Sequence, residues 1–216
     1  GDYLAGAQGA FAAMAALYYG RRTGKGQLVE ISQAENGMAM FAEAILDYTL
    51  NGRVHQTIGN RDIHGAAPCG VYPTAGGDNW IAITCYTDAE WQGLVQGMGL
   101  PEWARDDRFA AAPSRFKLQD ELDARIGDWT RGQEQYALMK LLQAQGVPSG
   151  PVLSAGQVMQ DEQLRERSFF EAVTAADFGT RTFPGMLYQL SETPLSYRTP
   201  PVALGEHNEY VYREVF

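Results

Sequence analysis

The sequence contains few cysteines and no long apolar segment, and each shortage excludes a class of protein. Cys69 and Cys85 are the only cysteines in 216 residues, too few for a fold held together by disulfides. We therefore expect a reducing, cytoplasmic environment in which both thiols are buried as small hydrophobic groups. The longest apolar run, residues 10–19, is about half the length of a membrane-spanning helix, so we expect a buried helix and no membrane partner.

Basic residues are also scarce, since 17 Lys and Arg stand against 26 Asp and Glu, for a formal net charge of −9. A nucleic-acid surface requires clustered cations, so we expect no nucleic-acid partner. The one basic cluster, Arg21, Arg22 and Lys25, follows a predicted helix. It can be a cationic helix end or a contact for phosphate groups.

Motifs for metals and nucleotides are missing as well. His55, His64 and His207 have no Cys or acidic residue at ligand spacing, so no metal site is predicted. The segment Gly24-Lys25-Gly26 lacks the Ser or Thr and the preceding strand of a P-loop. No Gly-x-Gly-x-x-Gly sequence follows a predicted strand, and NAD is therefore not supported.

The apolar periodicity and the turn residues predict helices interrupted by a few strands. A first helix over residues 2–19 stops at Gly20, and its apolar residues on all sides predict burial. A strand over residues 27–31 follows, and Ser32 can cap a helix over residues 33–50. Downstream we predict a hairpin of strands 71–74 and 80–84, and strand-like segments at 170–174 and 186–190. We also predict a helix capped by Asp88, helices over 116–129, 133–145 and 155–167, and a terminal helix from Glu206.

Asp2 precedes the first helix, and an Asp at this place is most simply an N-cap. The order of Asp2, a small-residue helix, Thr23-Gly24-Lys25-Gly26-Gln27 and a strand nevertheless resembles the middle of the family III CoA-transferases. This CaiB/BaiF group includes formyl-CoA, carnitine-CoA and succinyl-CoA transferases. Further segments match it in order and spacing: Gly59-Asn60-Arg61, Ala67-Pro68-Cys69-Gly70, Asp88-Ala89-Glu90-Trp91, Gly146-Val147-Pro148-Ser149-Gly150, Ser191-Glu192-Thr193-Pro194 and Leu204-Gly205-Glu206-His207.

The resemblance implies an α/β fold with a Rossmann-like larger domain, present in part, and a smaller α+β domain. The amino-acid composition changes near Arg53, from Ala- and Gly-rich helices before it to aromatic-rich segments after it, and this change agrees with that division. We expect residues 1–52 to belong to the larger, CoA-binding domain, residues 53–195 to form a linker and the smaller domain, and residues 196–216 to return to the larger one. The resemblance also implies a homodimer of interlocked chains. It implies that the chain is the carboxyl-terminal part of a longer protein and is active only with an upstream segment.

The activity implied by the resemblance is transfer of coenzyme A between an acyl-CoA thioester and a carboxylic acid. Asp2 would be the nucleophile and would carry the coenzyme as an aspartyl-CoA thioester. Coenzyme A is then a substrate, and no tightly bound cofactor is expected. Amides in the first helical turn could stabilise the oxyanions.

The resemblance also suggests residues that contact the substrate. Gln33 falls where the family places side chains near the pantetheine, although it can equally be an exposed residue of a first helical turn. Arg21 and Lys25 are candidates for the phosphates of coenzyme A. The resemblance also implies a substrate loop, which consists of His64, Gly65, Ala66, Ala67 and Pro68. Some members of the family have a mobile glycine-rich lid at this position. Because two of its positions are alanines here, we expect this loop to be stiffer.

Two alternatives stay open. The α-methylacyl-CoA racemases share the fold and the Asp but pair it with a His to move a proton beside the thioester. They have Glu-Pro where this chain has Asp88-Ala89-Glu90-Trp91, which favours a transferase. The other alternative is a non-catalytic, acyl-CoA-binding fragment.

Overall fold

The structure, a computed structural model, describes residues 1–216 and divides them into two units, Gly1–Gly59 and Asn60–Phe216. The chain is a mixed α/β protein whose strands form one three-stranded and one two-stranded sheet. No helix combines the length and the hydropathy that crossing a membrane requires. The finer division into residues 1–52, 53–195 and 196–216 stays a prediction.

The first unit consists of three helices, α1 (Asp2–Thr23), α2 (Gln33–Met40) and α3 (Ala42–Asn51). The predicted end of α1 at Gly20 is wrong, because Gly20 continues the helix and Gly24 ends it. Gly24 has φ 71° and donates its N–H to the Gly20 carbonyl at 2.8 Å, a left-handed cap that glycine adopts without strain.

After Gly24 the chain runs back along one face of α1, where the residues are small. A Cβ at Gly20 would lie 3.5 Å from the Lys25 carbonyl oxygen, and one at Gly9 would lie 3.9 Å from Ile31 Cδ1. The predicted strand over residues 27–31 is not formed, because neither sheet of the chain supplies a neighbour for its backbone. The return places the start of α2 beside the start of α1.

Helix α2 begins at the predicted cap, where Ser32 Oγ accepts a hydrogen bond from the Glu35 N–H at 3.3 Å. The predicted single helix over residues 33–50 is instead two helices. The break is at Phe41, whose φ of −104° and ψ of 21° are not helical. Gly52 ends α3 in a left-handed conformation, as the Asn51-Gly52 pair predicts.

The second unit is built on the sheet β1-β2-β3, in which β1 (Cys69–Pro73) and β3 (Ser149–Val152) flank β2 (Trp80–Thr84) in antiparallel pairs. The predicted hairpin is thus confirmed. Ile81 and Ile83 alternate along β2 and are fully buried. Four helices accompany this sheet in sequence: α4 (Asp88–Gly97), α5 (Ala112–Lys117), α6 (Gln119–Thr130) and α7 (Gln135–Ala144). Three of them, α4, α6 and α7, contribute the core residues Trp91, Leu94, Leu122, Ile126, Leu138 and Leu142.

Several predicted boundaries in this unit are corrected. The cap of α4 is Thr87 and not Asp88, because Thr87 and Glu90 form a reciprocal capping box. The helices predicted over 116–129 and 155–167 are each broken, the second into α8 (Ala155–Val158) and α9 (Glu162–Glu166). No strand forms at 186–190; the second sheet pairs β4 (Phe170–Ala175) with β5 (Gly179–Pro184). The terminal helix begins at Asn208 as α10 (Asn208–Tyr210) and continues as a π-helical turn, Val211–Val215.

Candidate functional site

Asp2 is the first residue of α1 and its side chain is exposed. The N-cap is Gly1, whose carbonyl accepts the Ala5 N–H at 2.9 Å, so the expectation that Asp2 caps the helix is wrong. The carboxylate lies at the positive end of the helix dipole, which favours a negative charge there. The Asp2 carboxylate therefore makes no capping hydrogen bond to the first turn of its own helix.

Gln33 contacts Asp2 directly, although 31 residues separate them. Its side-chain amide Nε2 donates a hydrogen bond to Asp2 Oδ1. Gln33 is the first residue of α2, and the Ser32 cap fixes this helix start. The first turns of α1 and α2 therefore meet at one point, where an amide donor faces a carboxylate.

The two cationic candidates lie elsewhere. Arg21 is in the last turn of α1, roughly 28 Å from Asp2 at 1.5 Å of rise per helical residue. Lys25 follows the Gly24 turn at that same end of the helix, where its N–H bonds Thr23 Oγ1 at 3.2 Å. The structure thus brings Gln33 to Asp2 and leaves Arg21 and Lys25 at the opposite end of α1.

The predicted substrate loop, His64 to Pro68, lies in the second unit and is braced by Asp62, two residues before it. Its Oδ2 accepts hydrogen bonds from the His64 N–H at 3.0 Å and the Ala66 N–H at 2.8 Å. Between these donors Gly65 has φ 101°, a conformation that side-chain-bearing residues rarely adopt. His64 is exposed, whereas Ala66, Ala67 and Pro68 are buried, so only the loop's tip faces solvent.

Arg61, three residues before the loop, is tied to α6 by an ion-pair network. Arg61 Nη2 lies 2.5 Å from Asp120 Oδ1 and 2.8 Å from Asp123 Oδ2. The other oxygen of Asp123 accepts a 2.7 Å hydrogen bond from the Tyr72 hydroxyl. Burial, reinforced by the charge of Asp123, raises the pKa of Tyr72 well above its usual range, so the phenol stays a donor.

The end of the loop is held by Arg115, whose side chain is fully buried. Its Nε donates to the Ala67 carbonyl at 2.9 Å, and its Nη1 donates to the carbonyls of Phe109 and Ala110 at 3.1 and 3.0 Å. Nη2 pairs with Asp88 Oδ1 at 2.7 Å. Nothing in the sequence singled out Arg115, because an arginine in an amphipathic helix is normally exposed.

Of the two cysteines expected to be buried, Cys69 is only partly buried. Cys85 is buried, and burial raises the pKa of its thiol to about 12, so it stays protonated near neutrality. His55 lies 2.8 Å from Asp47 Oδ2, and Asp47 Oδ1 also accepts from Arg53 and Asn51. The Arg53 and Asn51 hydrogen bonds lower the pKa of Asp47 to about 2. No group of three or more His, Cys, Asp or Glu side chains is arranged to hold a metal ion.

The sequence matches the family model described as CoA-transferase family III over residues 1–208. It is 33% identical to the succinyl-CoA–D-citramalate CoA-transferase of Chloroflexus aurantiacus, covering 100% of this chain and 53% of that protein. It is 28% identical to the succinate–glutarate CoA-transferase of Agrobacterium fabrum, covering 99% and 53%. The chain thus spans about half the length of the curated relatives it matches. A solved CAIB/BAIF family protein from Brucella suis has the same fold, with a TM-score of 0.85, 23% identity and coverage of 99% of this chain and 54% of that one.

Proposed function

Because the chain belongs to CoA-transferase family III, we propose that it carries the nucleophile of a reaction that moves coenzyme A from an acyl-CoA thioester to a carboxylic acid. The observation that carries the proposal is the position of Asp2. Its carboxylate is exposed at the first residue of α1, does not cap that helix, and contacts a single amide donor, Gln33. A carboxylate in this environment can act as a nucleophile.

The proposed chemistry has four steps and requires no metal or redox group. An oxygen of Asp2 attacks the acyl carbonyl and expels the CoA thiolate, which leaves a mixed anhydride. The thiolate then attacks the aspartyl carbonyl and expels the donor acid, which leaves an aspartyl-CoA thioester. The acceptor carboxylate attacks that thioester and expels the thiolate. The thiolate finally attacks the acceptor's acyl carbonyl, which releases the new acyl-CoA and restores Asp2.

Coenzyme A is a substrate in this scheme, and the candidate residues for its two ends lie at the two ends of α1. Asp2 and Gln33 would receive the thioester, and Arg21 and Lys25 would serve the phosphates about 28 Å away along α1. The curated relatives are named for succinyl-CoA, citramalate, succinate and glutarate. These names support short dicarboxylic acids as the first donors and acceptors to assay.

The Rossmann-like character of the larger domain and the interlocked homodimer belong to the same proposal. We also propose that residues 61–70, which include the substrate loop, act as a lid that excludes water from the anhydride. The buried Ala66 and Ala67 limit any such movement to the tip around His64 and Gly65. A mobile lid would therefore be short.

The test is trapping of the intermediate on Asp2 in a preparation of the protein that transfers coenzyme A. Incubation with succinyl-CoA and hydroxylamine should convert Asp2 to a hydroxamate that peptide mass spectrometry detects. Asp2→Asn should lower kcat at least about 1000-fold, because an amide is a far poorer nucleophile. Asp177→Asn, in the exposed turn between β4 and β5, is the matched control and should retain activity.

Three results would contradict the proposal. One is full transfer activity in Asp2→Asn. Another is exchange of the α-proton of a 2-methylacyl-CoA with D₂O without transfer, which would indicate a racemase. Binding of coenzyme A without turnover of any acyl-CoA would indicate a non-catalytic binding protein.

A further inference from the structure

The contact between Gln33 and Asp2 distinguishes the two oxygens of the carboxylate. Gln33 Nε2 donates to Oδ1, and Oδ2 does not share this hydrogen bond. We propose that Gln33 is a positioning residue that orients Asp2 for attack through Oδ2 and then polarises the aspartyl carbonyl through Oδ1. This inference rests on the proposed transferase function and adds a role for a side chain that the sequence suggested only as a pantetheine contact.

The chemistry makes one donor useful in two successive steps. When Oδ2 bonds to the acyl carbon and the thiolate leaves, Oδ2 becomes the bridging oxygen of the anhydride and Oδ1 becomes the aspartyl carbonyl oxygen. The thiolate next attacks Asp2 Cγ, and negative charge develops on Oδ1. The C–Oδ2 bond then breaks, and the donor acid leaves with both bonding electrons. The Gln33 N–H is already at Oδ1, where a preorganised donor stabilises that charge.

The same contact decides between the two carbonyls of the anhydride. Attack of the thiolate on the acyl carbonyl only regenerates acyl-CoA, whereas attack on the aspartyl carbonyl moves the reaction forward. A hydrogen bond to Oδ1 activates the aspartyl carbonyl specifically. Loss of Gln33 should therefore reduce the yield of the aspartyl-CoA thioester.

The local fold supports this role because Gln33 is held at a fixed helix start. Ser32 caps α2, and the return of residues 25–31 along the small-residue face of α1 aligns the two helix starts. Gln33 itself takes no part in the capping of α2. Its replacement can therefore change the contact to Asp2 while the helix remains.

The experiment compares Gln33→Leu and Gln33→Glu with the parent protein in a transfer-competent preparation. For Gln33→Leu we expect kcat to fall about 100-fold, with KM for succinyl-CoA within about threefold. Gln33→Glu should lose at least as much, since it places a negative charge beside Asp2, although a Glu in the first turn suits the α2 dipole. Gln163→Leu, at an exposed position of α9, is the matched control and should not change kcat.

The second readout is the fraction of Asp2 carrying coenzyme A after incubation with succinyl-CoA alone, measured by intact-protein mass spectrometry. This fraction should fall in both Gln33 variants and be unchanged in Gln163→Leu. A higher KM with an unchanged kcat would overturn the inference and return Gln33 to a pantetheine contact. A parent protein that forms no adduct and loses no activity in Asp2→Asn would instead overturn the proposed function itself, so the two failures are distinguishable.

Discussion

The buried guanidinium of Arg115 donates to the carbonyl oxygen of Ala67 at 2.9 Å, and this contact joins the end of the predicted substrate loop to the core of the second unit. The same side chain reaches two other carbonyls, one carboxylate and the face of Trp91, whose ring centre is 5.3 Å from Cζ. A charge this deeply buried is tolerated because nearly all of its donors are used. Arg115 therefore links the loop, α4 and the turn before α5.

Arg115→Met should destabilise the second unit by about 3–5 kcal/mol, because three carbonyls lose their donor in a buried site. Asp88→Ala removes one acceptor of the same network, but the Asp88 side chain is 63% exposed, so water can replace it at Nη2 and the cost should be smaller, about 1–2 kcal/mol. Urea denaturation of both variants measures the difference. Equal costs would mean that the ion pair, and not the carbonyls, holds the loop.

Asp62→Ala should loosen the loop tip while leaving the core intact. Its carboxylate is the acceptor for the His64 and Ala66 N–H groups, so these amides should exchange with D₂O faster in the variant. Asp62→Asn keeps an acceptor oxygen and should restore much of the protection. Unchanged exchange in Asp62→Ala would show that the Gly65 turn alone sets the loop conformation.

Local signals in the sequence predicted the elements whose hydrogen bonds are local. The loop Ala75-Gly76-Gly77-Asp78-Asn79 between two strand-like segments predicts the hairpin, and Ser32 predicts the start of α2. The break at Phe41 was missed because no Gly or Pro marks it. Strand β3 was missed because Ser149-Gly150-Pro151-Val152 has a weak strand propensity, and it forms by pairing with the distant β2.

The residues of the candidate site likewise fall into two groups, those that local sequence signals predict and those that only tertiary packing brings together. Asp2 and the turn after α1 carry a recognisable motif, and the Gly24 turn explains why Gln33 reaches Asp2. Arg115 could not be predicted, because the carbonyls that bury it are 5 to 48 residues away in the sequence. The pairing of Arg61 with Asp123 is likewise set by tertiary packing, 62 residues apart.

Gly24→Ala should destabilise the first unit by about 1 kcal/mol, since Gly24 has φ 71° and a Cβ is strained there even though it meets no neighbour. Gly6→Ala is the matched control, because Gly6 is inside α1 and a Cβ added there would meet nothing within 4 Å. It should stabilise the helix by about 0.5–1 kcal/mol. Opposite signs in chemical denaturation are the expected result, and a neutral Gly24→Ala would contradict the role of this turn.

Stability of the first unit should fall at acidic pH through Asp47. The Arg53 and Asn51 hydrogen bonds lower the pKa of this carboxyl from 3.8 to about 2 in the folded state. A lowered folded pKa means that the stabilisation is complete above about pH 4 and is lost as the pH falls towards 2. Asp47→Asn should flatten the dependence of unfolding on pH over this window, whereas the control Asp177→Asn should leave it unchanged. Parallel curves for Asp47→Asn and the parent protein would show that Asp47 does not carry the acid sensitivity.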